Sequence, residues 1–254
     1  SLILGSPAFA EEAATDTAAS SITTNQISGW PQGPEITSEA AVILEDSTGT
    51  TLYAKNMDEV LYPGSTVKIM TCLLALENSN LTDEVTMTAT GVSGVTDGGA
   101  NISAQLDEVF TMEQCLYAIM VASANDIALQ VAEHIGGSVE NFVAMMNTRA
   151  AQLGCTNTVF TNPTGLPDEN QHTTAHDMAL IMKAATENPS FSPIASANTY
   201  TIPATNVSGG ARSLTSKFTM TNNSSDAYYQ GCLGGKEGFT EASQSTLVCS
   251  AQRN

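Results

Sequence analysis

The chain has 254 residues and a formal net charge of −18, with 26 Asp and Glu against eight Lys and Arg. So few scattered cations argue against nucleic acid, whose phosphates are held by clustered Lys and Arg, and against a general attraction to anionic lipid. Charged residues make up 13%, against a usual share of roughly 25%, while hydrophobic residues stand at a normal 42%; an ordinary core is expected and disorder of the whole chain is not.

The first ten residues, SLILGSPAFA, are apolar and end in Ala8-Phe9-Ala10, the small-x-small pattern of a signal-peptidase site, so they read as the remnant of an export signal. Residues 11–36 are rich in Ala, Thr, Ser, Gly and Pro without a period and read as a flexible linker. No run of 18 apolar residues suggests a membrane span. The run EAAVILE, the turn Asp46-Ser47-Thr48-Gly49 and then TLYAK predict a first hairpin. After Pro63-Gly64, apolar Val67, Met70, Leu73, Leu74 and Leu76 predict a largely buried helix over 66–77. Further helices are expected over 111–121, 125–135, 139–153 and 175–187, with Gly154 stopping the fourth and Thr174 with Asp177 resembling a capping box for the fifth. The final GCLGGKEGFTEASQSTLVCSAQ predicts a second hairpin. Strands at both ends with helices between them argue for an α+β fold, an antiparallel sheet covered by a helical cluster.

The five cysteines, Cys72, Cys115, Cys155, Cys232 and Cys249, form no CxxC pair and are odd in number, which suits buried thiols. A turn centred near Ala242-Ser243 would set Cys249 opposite Lys236, against a bridge to Cys232. No G-x-S-x-G elbow accompanies His134, His172 and His176, which disfavours a Ser-His-Asp hydrolase. His172 and His176 are four apart, yet Thr174 between them is expected to cap the helix, so no metal site is expected.

Three short elements carry candidate chemistry. In Ser65-Thr66-Val67-Lys68, residues three apart share a helix face with Cβ atoms about 5–6 Å apart, so the Lys68 amine reaches the Ser65 hydroxyl. Such an amine acts as a base only if burial or a second cation lowers its pKa. Free N–H groups at a helix start would also hold an oxyanion, so the pair suits acyl transfer. With 24 Ser and five Lys in the chain, however, roughly 0.5 occurrences of S-x-x-K are expected by chance and one is found, so alone it means little. The second element, Ser123-Ala124-Asn125, reads equally as an N-cap, and a competing S-x-N stands at Ser196-Ala197-Asn198. The third, Gly235-Lys236-Glu237-Gly238-Phe239-Thr240, reads equally as a glycine-rich hairpin with one exposed Lys.

Together and in this order the three elements resemble the motif set of the penicillin-recognising serine enzymes. The segments PGSTVKIMT, SANDIA, FTNPTGLPDENQHTTAHDMALI and GGKEGFT resemble the D-alanyl-D-alanine carboxypeptidases of peptidase family S11, over roughly residues 38 to 254. The resemblance implies a β-lactamase/penicillin-binding-protein-like fold, an antiparallel sheet flanked by helices with an all-helical cluster, and a catalytic domain over 37–254. It makes Ser65 the acylated nucleophile, Lys68 its general base and Ser123 a proton relay to the leaving D-Ala nitrogen. Asn125 would hold the substrate backbone, Lys236 its terminal carboxylate, and the N–H groups of Ser65 and Phe239 the oxyanion. Gly238 and Thr240 would line the cleft. The implied partners are the peptidoglycan stem peptide and β-lactam antibiotics; no cofactor or metal is implied. The implied location is extracytoplasmic, secreted or envelope-associated, with any membrane association left to segments absent from this chain.

Two departures stand out. Where the family has K-T-G or K-S-G, this chain has Glu237, and two like charges about 4 Å apart repel by roughly 4 kcal/mol at an effective dielectric of 20. Side chains alternate across a strand, so an edge Glu is expected to have solvent to rotate into. The chain also stops before the family's last strand and helix, which suggests a fragment of a longer chain. The alternatives are an impaired wall-binding or penicillin-binding protein, on account of Glu237, and a serine β-lactamase, although the segment before NPTGLPD lacks the surroundings of that enzyme's deacylating Glu.

Overall fold

The computed structural model describes residues 22–94 and 99–253. The export-signal reading of residues 1–10 and the first part of the expected linker lie outside the described residues. The rest of that linker is not free. Thr24 Oγ1 donates to the Ala54 carbonyl at 3.2 Å and accepts from the Ala54 N–H at 3.1 Å. Tyr53 Oη donates to the Pro34 carbonyl and Lys55 Nζ to the Ile36 carbonyl, at 3.2 and 2.9 Å. Residues 24–36 are thus held along the second strand, covering an edge that would otherwise present unpaired backbone groups.

The first hairpin forms as expected: β1 (Ala41–Leu44) pairs antiparallel with β2 (Thr51–Lys55). The helix predicted over 66–77 is split. A 3-10 turn over Gly64–Val67 leads into α1 (Lys68–Asn78), whose residues from Lys68 to Ala75 are all buried. Before the next expected helix come β3 (Glu84–Thr86), α2 (Ala89–Ser93) and β4 (Val109–Thr111), which the sequence pattern does not predict. They are three to five residues long, too short to show a period.

α3 (Met112–Val121) carries a complete capping box, with Thr111 accepting from the Gln114 N–H and the Gln114 side chain accepting from the Thr111 N–H. α4 (Asn125–Gly136) and α5 (Val139–Gln152) follow, and Gly154, at φ +85°, stops the latter as expected. α6 (Ala175–Thr186) has only half the predicted box. Thr174 accepts from the Asp177 N–H, while the buried Asp177 carboxylate accepts instead from the Asn157 N–H and the Thr158 hydroxyl. The short α7 (Phe191–Ala195) and the ribbon of β5 (Thr199–Ile202) with β6 (Arg212–Thr215) were likewise not anticipated.

The second hairpin pairs β7 (Cys232–Thr240) with β8 (Gln244–Ala251). Its turn holds one residue more than the sequence reading assumed, with Thr240 opposite Gln244, so Cys249 faces Gly235 rather than Lys236. All five cysteines are free. Among the described residues the strands form four two-stranded antiparallel ribbons, and α6 packs against both β1 and β8, so the two terminal hairpins share one helical support. α1 runs through the middle, touching α3, α4, α5, α6 and α7. Phe110, Phe142, Phe160 and Phe191 fill the core around it. No helix among the described residues is long and apolar enough to cross a membrane.

One buried ion pair ties β6 to the segment that enters β4. Arg212 reaches both Glu108 oxygens, at 2.7 and 2.9 Å, and the Glu108 side chain is fully buried. Burial alone would raise this carboxyl, but Arg212 and Thr205 hold it below its ordinary value. Arg212→Met is expected to cost about 3–5 kcal/mol in urea unfolding, because it strands a buried charge, and the double variant with Glu108→Gln is expected to cost less.

Candidate active site

The site is assembled at the N-terminal end of α1. Pro63 is followed by Gly64 at φ +57°, a conformation that favours glycine; a Cβ there would also lie 2.8 Å from Ser243 Oγ in the hairpin turn. Ser65 therefore sits half-buried in the 3-10 turn, and Lys68 starts the helix proper, fully buried.

Three segments converge on the Lys68 amine. Its Nζ lies 3.3 Å from Ser65 Oγ, 2.7 Å from Asn125 Oδ1 at the start of α4, and 2.5 Å from the Thr164 carbonyl. The latter two oxygens only accept. A neutral amine has two hydrogens and one lone pair, so with both hydrogens given to Asn125 and Thr164 the lone pair is left facing Ser65. That arrangement can take a proton from the hydroxyl, the geometry a nucleophile–base pair needs.

Burial holds Lys68 well below the ordinary lysine range, and the nearby Lys236 ammonium lowers it further, while the Glu237 carboxylate opposes both. Cys72, one turn along α1, is pushed up to about 12 by burial and stays a neutral thiol.

Thr164 was not anticipated as a site residue, since its contribution is a backbone carbonyl. The signal lay in the turn-forming Asn162-Pro163-Thr164-Gly165. Asn162 Oδ1 accepts from the Thr164 and Gly165 N–H groups, and Thr71 Oγ1 on α1 donates to the Pro163 carbonyl at 2.7 Å. A Cβ on Gly165 would lie 2.0 Å from the Gly64 carbonyl oxygen, so the loop reaches the Ser65 turn only because that residue is glycine. Asp126, also missed, is buried beside Asn125 and accepts from the N–H groups of Ile102, Ala104 and Ile127. The same loop takes the Asn125 N–H on the Ala100 carbonyl at 2.8 Å.

Ser123 lies between α3 and α4, nearly buried, with φ +56°. Strained non-glycine backbone of this kind is held only by surrounding structure. No side-chain hydrogen bond engages its hydroxyl among the described residues. The competing Ser196-Ala197-Asn198 falls after α7, where Asn198 is taken up by Thr221.

On the other wall, β7 packs against the Ser65 turn. A Cβ on Gly238 would lie 2.7 Å from the Ser65 nitrogen, and Thr246 Oγ1 on β8 donates to the Pro63 carbonyl at 3.1 Å. The Phe239 side chain is exposed. Thr240, expected in the cleft wall, instead spends its hydroxyl on the turn, bonded to Ser243 Oγ and the Ser243 N–H.

Lys236 is not the exposed lysine of a plain hairpin: it is fully buried. Its Nζ donates to the Glu237 carbonyl and to Glu237 Oε1, both at 2.8 Å. Glu237 thus turns onto Lys236 while staying partly exposed, giving the buried ammonium a charged hydrogen-bond acceptor. Burial pulls Lys236 below its ordinary value and Glu237 partly restores it.

An α+β scaffold that buries a lysine against a serine one helical turn away, with a second lysine on a facing strand, has the arrangement that nucleophilic acyl transfer needs. The D-alanyl-D-alanine carboxypeptidase family, Peptidase S11, matches residues 27–254, and the chain belongs to it. It is 36% identical over 222 residues to D-alanyl-D-alanine carboxypeptidase DacF of Bacillus subtilis, covering 85% of this chain and 54% of that relative. It is 31% identical to DacB2 of Mycobacterium tuberculosis, covering 88% and 72%. The chain thus spans about half the length of the Bacillus relative. Among solved structures, a mutant of Streptomyces K15 DD-transpeptidase superposes with a TM-score of 0.80 at 28% identity, covering 87% of this chain and 88% of that one.

The sign of the electrostatics is open to test by isotope-edited NMR titration of the lysine ε-methylenes. Lys68 is expected to lose its proton well below an ordinary lysine. Lys236→Met is expected to move that titration to higher pH, since it removes a cation and leaves the Glu237 carboxylate uncompensated.

Proposed function

We propose that the chain is a serine-type peptidase that cleaves the D-Ala-D-Ala bond of peptidoglycan stem peptides through an acyl-enzyme on Ser65, outside the cytoplasmic membrane where that substrate lies. The observation that carries this reading is the buried Lys68 amine, 3.3 Å from Ser65 Oγ and held by two oxygens that only accept, so that in its neutral form the lone pair is left for Ser65.

In the proposed reaction the Ser65 proton passes to Lys68 Nζ as Oγ attacks the carbonyl of the penultimate D-Ala. The oxyanion lies between the N–H groups of Ser65 and Phe239, a pairing supported by the close approach of Gly238 to the Ser65 nitrogen. Collapse breaks the C–N bond, and the leaving amine takes a proton by way of Ser123, whose hydroxyl has no side-chain hydrogen bond among the described residues. Water then hydrolyses the ester with Lys68 again as base. Asn125 orients the substrate backbone from the same position at which it holds Lys68. A β-lactam, presenting a strained amide to the same hydroxyl, would acylate Ser65 and block the site. The catalytic domain in this reading is residues 37–254, with residues 24–36 as its docked entry segment.

A second reading, a penicillin-binding or wall-binding protein without turnover, draws on Glu237 occupying Lys236. Incubation with a fluorescent penicillin followed by intact-mass measurement separates the two. The wild-type chain is expected to gain one β-lactam mass on Ser65 and to release D-alanine from a pentapeptide. Ser65→Ala is expected to lose both, with hydrolysis down at least about a thousandfold. Labelling without D-alanine release would favour the second reading.

A further inference from the structure

Lys236 and Glu237 form a closed ion pair inside the cleft wall, and one atom of it is left over. Among the described residues the Lys236 ammonium gives two of its three hydrogens, both to Glu237, one to its carbonyl and one to Oε1. Glu237 Oε2 is buried and has no hydrogen-bond partner among the described residues. A buried carboxylate oxygen without a donor is costly, and a ligand that supplies a donor there is favoured. Lys236 and Glu237 immediately precede Gly238, whose backbone abuts the Ser65 nitrogen, so the pair lies on the strand segment next to the reacting serine.

Resting on the reading of the site as a D-Ala-D-Ala peptidase, we infer that Glu237 is a specificity-determining residue that turns the site away from leaving groups ending in a free carboxylate and toward those ending in a neutral, N–H-bearing amide, whether a terminal carboxamide or a continuing peptide. A free carboxylate brought to Lys236 must share one ammonium with Glu237 or displace it. Two unit charges about 4 Å apart at an effective dielectric of 20 cost on the order of a thousandfold in binding. An amide avoids that repulsion because it carries no charge, and once the part-exposed Glu237 side chain turns to present Oε2 its N–H can donate there while its carbonyl accepts from a backbone or solvent donor. Oε2 changes from an orphan to a bonded acceptor, and the ion pair stays intact. Bond-making is unchanged: Ser65 Oγ binds the acyl carbon, the C–N bond breaks, the leaving D-alaninamide or peptide amine carries away a proton, and water completes hydrolysis.

The test compares kcat/KM for N-acyl-D-alanyl-D-alanine, N-acyl-D-alanyl-D-alaninamide and N-acyl-D-alanyl-D-alanyl-glycinamide, following the released amine, in the wild-type chain, Glu237→Thr and Glu237→Gln. The wild type is expected to favour at least one amide over the acid by about tenfold or more; the two amide arms show whether a blocked terminus or a continuing peptide fits. Glu237→Thr is expected to raise acid turnover and shift the ratio toward the acid by about a hundredfold or more. Glu237→Gln keeps the shape, removes the charge and is expected to shift the ratio the same way. A wild-type preference for the acid, or a ratio unmoved in both variants while Ser65 still acylates, overturns the inference and leaves the peptidase reading standing. Absence of a Ser65 adduct with every substrate and variant, by intact mass, overturns both.

Discussion

Both hydrogens of a neutral Lys68 amine are claimed by oxygens that cannot give one back, and the rest of the site depends on that constraint. Asn125 arrives from the start of α4 and the Thr164 carbonyl from a loop 96 residues along the chain, so the amine is the point where three separate segments meet. Full burial makes the charged form expensive, and two acceptors make the neutral form well hydrogen-bonded. The remaining direction is Ser65. Much of the surrounding structure serves to keep those partners in place: Asn162 folds its loop, Thr71 holds the Pro163 carbonyl and Asp126 fastens the backbone beside Asn125.

Close approach of backbones is the second condition. Gly64, Gly165 and Gly238 come together from the helix turn, the Asn162 loop and β7, and a methyl group on the latter two would overlap backbone atoms of the Ser65 turn. Such contacts let a strand amide lie beside the Ser65 nitrogen, which side chains would prevent. They also mean that the hairpin β7–β8 is part of the site and not only of the scaffold, being tied to the turn through Thr246.

The charge arrangement has an internal compensation. Two buried lysines in one cleft would repel, and Glu237 offsets part of that by pairing with Lys236. The same carboxylate opposes the lowering of Lys68, so the base strength of the first lysine and the anion affinity of the second are both set in part by one side chain on β7.

Local and periodic information was readable directly. The terminal hairpins, five of the helices, the Gly154 stop and the reach between Ser65 and Lys68 all follow from alternation, helical spacing and turn chemistry, which act over a few residues. Tertiary packing decided the rest. It buried Lys236, which in sequence was one cation in a glycine-rich strand, turned Glu237 onto it, and recruited a main-chain carbonyl at Thr164 that has no side-chain signature. It also docked residues 24–36, whose composition reads as a linker, and lengthened the β7–β8 turn by one residue, which moved Cys249 opposite Gly235. A sequence specifies which groups are present and their local geometry. Desolvation and the meeting of groups some sixty to a hundred residues apart exist only once the chain has closed around them.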